Sequence, residues 1–353
     1  MALFVLNSDI TIGDFRFRGV NEVIIKRSIH SISDTALIKI PSIARIIRNG
    51  KAEPEKVLSC SLFNEGDKVS IKLGYNRDLH TEFKGFVKRR NLDMPLEVEC
   101  EGYGWLMKRN RVEGFFSGCT VKDLLGMAVS TLDGGEVIHV KCADEINLSK
   151  VSLDTNSGVD VLNKISKYTD DSLSCFFIKP DTLWCGRVMT QYANGIDPFN
   201  GMGGTNEIKL RPGFNTLSDT SLEVHDGELN PVLVIYSKKQ SNGTRLTGSS
   251  NVLKGYVRVR NKVLNQIKDA HSLKLLANEK SLKESYTGYE GYITGFLQPF
   301  IQPGNSVTIS DKQFPERNGT YLVERTEVHF GIKGARRKVE LGPKFGFAKG
   351  DRL

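Results

Sequence analysis

"NEGDKVSIKL" (64–73) and "QPGNSVTISD" (302–311) carry one pattern at two places in the chain. Gly66-Asp67-Lys68-Val69-Ser70-Ile71 matches Gly304-Asn305-Ser306-Val307-Thr308-Ile309 at an offset of 238 residues (304 − 66). Val69, Ile71 and Leu73 alternate with Lys68, Ser70 and Lys72, the period of a half-buried strand. A charged turn follows each copy, then a long strand (81–90 or 319–330). Last comes a strand ending in glycine, "LEVECEG" (96–102) or "RKVELG" (337–342). A lone G-x-x-V-x-I is common in β proteins. The ordered triple points to an internal duplication, with convergence on ordinary hairpin chemistry as the alternative. Under duplication, Gly66 and Gly304 are equivalent corners of two barrels.

Further short alternating segments surround the first copy: 15–20, 22–28, 34–40, 67–73, 81–90 and 96–103, after an N-terminal stretch that reads as a first strand. Short strands separated by turns predict a small antiparallel barrel over 1–108. Near Arg111 the period changes. Thr120 with Asp123, and Ser157 ahead of Val161, Ile165 and Tyr168, predict two helices. Strands at 136–142, 173–178 and 183–188 complete a small α/β module. With the Pro/Gly-rich linker "NGIDPFNGMGG" (194–204), the module occupies 109–204. Strands then return at 230–240, 243–248, 254–261, 291–297, 305–310, 319–330 and 336–342. They predict a second barrel over 205–345, with a helical insertion at about 264–285 marked by Leu273, Leu276 and Ala277. Residues 346–353 form a C-terminal tail. The fold class is mainly β: two similar antiparallel β-barrels plus a small α/β module.

The 353 residues are 39% hydrophobic and 25% charged, the balance of a globular protein. No apolar run approaches the roughly 18 residues of a membrane span, so no membrane insertion is expected. Six cysteines (60, 100, 119, 142, 175 and 185) lack CxxC spacing and read as free thiols. The net charge of +8 is compatible with nucleic acid, an anionic surface or an acidic protein partner.

No catalytic constellation emerges, so an enzyme is not expected. The six histidines are dispersed without HxH or HExxH spacing, and there is no GxSxG elbow. His329 lies between Val328 and Phe330, which the alternation assigns to the core, and is read as solvated. "GMGGTNE" lacks the GK[ST] ending of a phosphate loop and reads as linker. Adjacent Asp170 and Asp171 do not aim at one point and are not an acid/base dyad. No cofactor and no metal site are implied. The basic clusters stand out instead: Lys88-Arg89-Arg90, Lys108-Arg109 with Arg111, and Lys333 with Arg336-Arg337-Lys338. They are either a solvated rim or a charged docking surface. The docking candidates are Lys88, Arg89, Arg90, Arg336, Arg337 and Lys338, at related positions in the two barrels.

Two stretches carry a family likeness: "FKGFVKRRNLDMPLEVECEGYGWLMKR" (83–109) and the run from "GYITGFLQPFIQPGNSVTI" (291–309) to "NGTYLVERTEVHFGIKGARRKVELG" (318–342). In layout the chain resembles the baseplate hub family of contractile phage tails. That family comprises the phage Mu hub, the late control protein D group and the hub part of type VI secretion spikes. The resemblance implies a homotrimer whose six barrels ring a central channel. It implies a symmetry adapter joining a hexameric tail tube protein to a trimeric spike protein, beside other baseplate proteins, with a channel that is a conduit for DNA or an effector. The location implied is a virion tail baseplate or an injection-system particle, assembled in the bacterial cytoplasm. The spike needle and any lysozyme domain would be separate chains, and the tail from 344 would be a docking peptide.

Two other functions compete with this one. A nucleic-acid-binding protein built on OB-like barrels would use the basic hairpins, and a cell-wall hydrolase would need an acid/base pair the sequence does not offer.

Overall fold

The computed structural model describes residues 5–46, 55–193, 208–217, 221–226, 231–251 and 257–346. The linker at 194–204, the "GMGGTNE" loop and the tail beyond 346 lie outside them.

Period-two alternation produces the strands where it was read. In Lys68–Tyr75, Val69, Ile71 and Leu73 are buried and Lys68 and Lys72 exposed. Full burial of each such aliphatic side chain contributes about 1.5–3 kcal/mol. Six strands make the first half: β1 (Leu6–Ile12), β2 (Glu22–Ser28), β3 (Thr35–Ile40), β4 (Lys68–Tyr75), β5 (Asp78–Asn91) and β6 (Leu96–Glu101). Six make the second: β7 (Ile208–Leu210), β8 (Ser221–Asp226), β9 (Thr287–Gly295), β10 (Ser306–Ile309), β11 (Gly319–Gly331) and β12 (Gly334–Gly346). The first half is ordered β1-β4-β5-β6-β3-β2 and the second β7-β10-β11-β12-β9-β8. These are the same permutation of the chain. One difference lies at the edge: β1 runs antiparallel to β4, whereas β7 runs parallel to β10.

The halves are not separate sheets. β2 pairs with the C-terminal part of β11, Arg325↔Ser28 through Gly331↔Glu22, and fuses all twelve strands with Phe15–Phe17 into one 13-stranded sheet. Among the described residues its ladders close neither half into a ring. Two apolar cores nevertheless persist. One gathers Ile10, Ile38, Ile71, Leu73 and Val98 with Val328 and Phe330 of β11; the other gathers Ile293, Val307, Ile309, Tyr321 and Val339.

The two expected helices begin at capping boxes. Thr120 Oγ1 accepts from Asp123 N (3.2 Å) while Asp123 Oδ2 accepts from Thr120 N (2.8 Å), and Ser157 and Asp160 repeat the pattern. Such caps contribute about 1 kcal/mol each. α2 (Val121–Ala128) buries Val121, Leu124, Leu125 and Ala128. α3 (Gly158–Tyr168) buries Val161, Leu162 and Ile165. Shorter helices stand at either end of the module, α1 (Gly104–Arg109) and α4 (Val188–Ala193).

The expected domain boundary at 204 needs correction. Strands Val232–Lys239, Arg245–Ser249 and Arg258–Val263 form their own three-stranded sheet outside the second half. With α5 (Ala270–Glu284) they share one apolar core with the module: Val232, Val234, Tyr236, Leu273, Leu276 and Ala277 pack with Leu124, Leu148 and Ile165. The insertion into the second half is therefore larger than a helix, and it enlarges the module by a three-stranded sheet and α5.

Candidate docking surface

The two glycine corners are built alike. Gly66 has φ +89° and Gly304 +87°. Gly66 N donates to Val87 O (2.9 Å), and Val87 N donates to Asp67 O (2.9 Å). Gly304 N donates to Val323 O (2.8 Å), and Val323 N donates to Asn305 O (2.9 Å). The side chain after each glycine closes its own turn, Asp67 Oδ2 on Asn64 N (2.7 Å) and Asn305 Oδ1 on Gln302 N (2.9 Å). Positive φ at both positions is the conformation that favours glycine. The module covers both corners. Trp105 of α1 lies against Gly66, 3.2 Å from where a Cβ would stand, and Tyr192 of α4 donates to Gly304 O (2.6 Å).

The likeness continues into the hairpins. A register shift follows Val87 in β5 and Val323 in β11. The next pair across each is Arg opposite Glu, Arg89–Glu99 (2.7 Å) and Arg325–Glu340 (3.6 Å). The Arg89 guanidinium beside Glu99 holds its carboxyl below the usual carboxylate range. Arg89 thus corresponds to Arg325. The 336–338 cluster sits on the return strand, so the two basic clusters do not occupy matching positions.

Of the six docking candidates, Arg337 must be withdrawn. It is 1% exposed, and its guanidinium meets Glu82 of β5, itself 2% exposed, at 2.6 and 3.2 Å. Ile301 O and Leu297 O accept from it as well. The parity of β12 explains the position: Ala335, Arg337, Val339 and Leu341 all face inward. The other five are at the surface or partly buried. Lys88 lies 3.9 Å from Glu101, which Lys108 also meets at 2.5 Å. Arg90 donates to Cys60 O, Arg336 lies over the Phe296 ring, and Lys338 Nζ sits 3.5 Å from the Tyr292 ring centre.

Sequence reasoning passed over the apolar groups at the hairpin tips. Leu92 and Met94 end the β5–β6 hairpin at 79% and 91% exposure, and Ile332 ends the β11–β12 hairpin at 85%. The available signal was an apolar residue inside a polar turn, "NLDMP" and "GIKG".

His329 is exposed, 2.6 Å from Glu327, between buried Val328 and Phe330, as the alternation required. Asp170 and Asp171 diverge, the first to Tyr236, Arg260 and Lys262, the second to Ser166. Among the described residues no three His, Cys, Asp or Glu side chains converge as metal ligands, and no helix is long and apolar enough to cross a membrane.

Solved structures share this arrangement over nearly the whole chain. The prophage MuSo2 43 kDa tail protein from Shewanella oneidensis matches at TM-score 0.61 and 12% identity, over 96% of this chain and 98% of its own. A tail protein from Neisseria meningitidis MC58 matches at 0.63 and 12%, over 95% and 96%. An Escherichia coli protein described as a component of the type VI secretion system matches at 0.58 and 10%, over 96% and 78%. The chain has a phage-tail-protein fold. No protein-family model and no curated protein matches the sequence. In this tail-protein fold the matched hairpins and corners are the parts that occur twice, and they define the candidate surface.

Proposed function

We propose that the chain is a structural baseplate hub of a phage tail or phage-like contractile injection system. In this reading it is a trimeric adapter between a hexameric tube and a trimeric spike around a channel. The single observation that carries the reading is the repeated strand permutation: one chain holds two half-sheets with the same order, corners and bulges. Three such chains offer six similar half-sheets while keeping threefold symmetry. A closed ring needs head-to-tail contacts whose rotation closes, and obligate contacts of that kind bury about 2,000 Å² or more. The twelve-strand core then acts as two quasi-equivalent half-sheets. Mass photometry of the full chain, alone and with the spike and tube proteins of the same particle, tests this. The expected result is three copies per complex; a chain that stays monomeric with both proteins present overturns it.

A second reading, binding of single-stranded nucleic acid, has one observation in its favour. A cleft of about 650 Å³ is lined by Arg211 over Phe214, Arg317 over Phe314, and Lys312, with Asp311 beside Arg317. Aromatic faces beside cations suit stacked bases. Binding of an oligonucleotide that weakens steeply with salt supports this reading, and no binding at low salt removes it.

A further inference from the structure

The strand register places the two hairpin tips on one row of paired residues. Gly331 at the end of β11 pairs with Glu22, Glu22 with Lys39, Lys39 with Glu97, and Glu97 with Asn91 at the end of β5. Both tips therefore leave the same edge of the sheet. Four strand spacings separate them, about 19 Å along the sheet. Lys39 bonds Glu22 at 3.3 Å and Glu97 at 3.2 Å, which ties the rim between them. Each tip presents aliphatic or thioether carbon to solvent beside charged side chains, Arg90 and Asp93 at the first and Lys333 and Arg336 at the second.

We propose that Leu92 with Met94, and Ile332, are twin anchors that insert into like pockets on two neighbouring, identical subunits of a ring protein. This rests on the adapter reading. Single exposed apolar residues are ordinary on protein surfaces. Here three of them occupy two topologically matched tips on one edge. A ring of identical subunits repeats one pocket at one spacing, and two like anchors from one chain fit that repeat. Across the two tips the three cations outnumber Asp93, which favours a pocket with an acidic rim.

The probe is the tube-forming protein of the same particle, with the full chain carrying a photo-cross-linking phenylalanine analogue at position 92 or 332. Both positions are expected to cross-link to the same tube peptide. Leu92→Asp and Ile332→Asp are each expected to weaken tube binding about tenfold or more, and Phe115→Asp, exposed on the module, to leave it unchanged. Cross-links to different tube peptides, to another copy of this chain, or at one tip only overturn the twin anchors while leaving the adapter standing. Tip variants that bind like Phe115→Asp do the same. A chain that joins neither spike nor tube overturns both readings.

Discussion

Arg337 and Glu82, 255 residues apart in sequence, meet at 2.6 Å in the interior, where β12 of the second half curls back onto β5 of the first. The ladders do not join these strands, so side chains supply the contact. Tyr75 adds to it by donating to Ala335 O and accepting from Leu297 N, both at 3.3 Å.

Breaking that pair from one side leaves a buried charge without its partner. Arg337→Met or Glu82→Leu alone is expected to cost about 3–5 kcal/mol, and the double variant much less. Urea unfolding of the three proteins checks the order. A double variant as unstable as the sum of the singles contradicts the account.

The glycine corners make a matched prediction. Gly66→Ala and Gly304→Ala each force an L side chain to positive φ, at an expected cost of about 1–2 kcal/mol. Gly126, inside α2 with open space where a Cβ would stand, is the contrast. Gly126→Ala is expected to stabilise by about 0.5–1 kcal/mol through helix propensity. Thermal denaturation of the three variants reads both signs.

The capping boxes set part of the acid limb of stability. Hydrogen bonds from the Thr120 and Ser157 backbone and hydroxyl groups hold the Asp123 and Asp160 carboxyls below their ordinary values. A carboxyl whose folded pKa is lowered stabilises the fold fully above the unfolded value. That stabilisation is lost as pH falls through the folded value. Asp123→Asn and Asp160→Asn are therefore expected to flatten the loss of stability below about pH 4. Unfolding midpoints between pH 3 and 6 measure it, and an unchanged slope in the double variant refutes it.

The thiols make the fourth prediction. Cys175 and Cys185 face each other on paired strands with Sγ atoms 2.9 Å apart, and Cys142 pairs with Cys185 from the other side. The Cys175 contact and burial push the Cys185 thiol up, and burial does the same to Cys100. Mild oxidation is expected to link Cys175 to Cys185, seen as a loss of two hydrogens by mass on the peptide pair. Labelling of native protein is expected to spare Cys100. Rapid modification of Cys100 in folded protein contradicts its burial.

Local signals were readable in the sequence. Thr120 with Asp123 announced its helix because a cap is a contact within four residues, and Ser157 announced the second through the apolar stripe of Val161, Ile165 and Tyr168 behind it. Gly66 and Gly304 announced their turns because positive φ leaves few other choices. Parity also assigned Val328 and Phe330 inward, and the same rule applied to β12 places Arg337 with Val339 and Leu341. Charge weighed more than parity in that reading, and the burial was missed. What no local rule reaches is partnership at long range. Val232–Lys239 alternates as well as any strand of the second half, yet its neighbours are α5 and the module. The β2–β11 ladder joins residues some three hundred positions apart, and neither strand's pattern names the other.

That ladder has a mechanical consequence. β2 and β11 run antiparallel through seven consecutive residue pairs, with the rest of each half-sheet hung on either side. A pull along the strands loads those pairs together, in shear, so they resist as a group. A pull across them would open the seam one pair at a time. An object pushed or drawn along the strand axis would meet a single stiff plate; one pressing sideways would find the hinge.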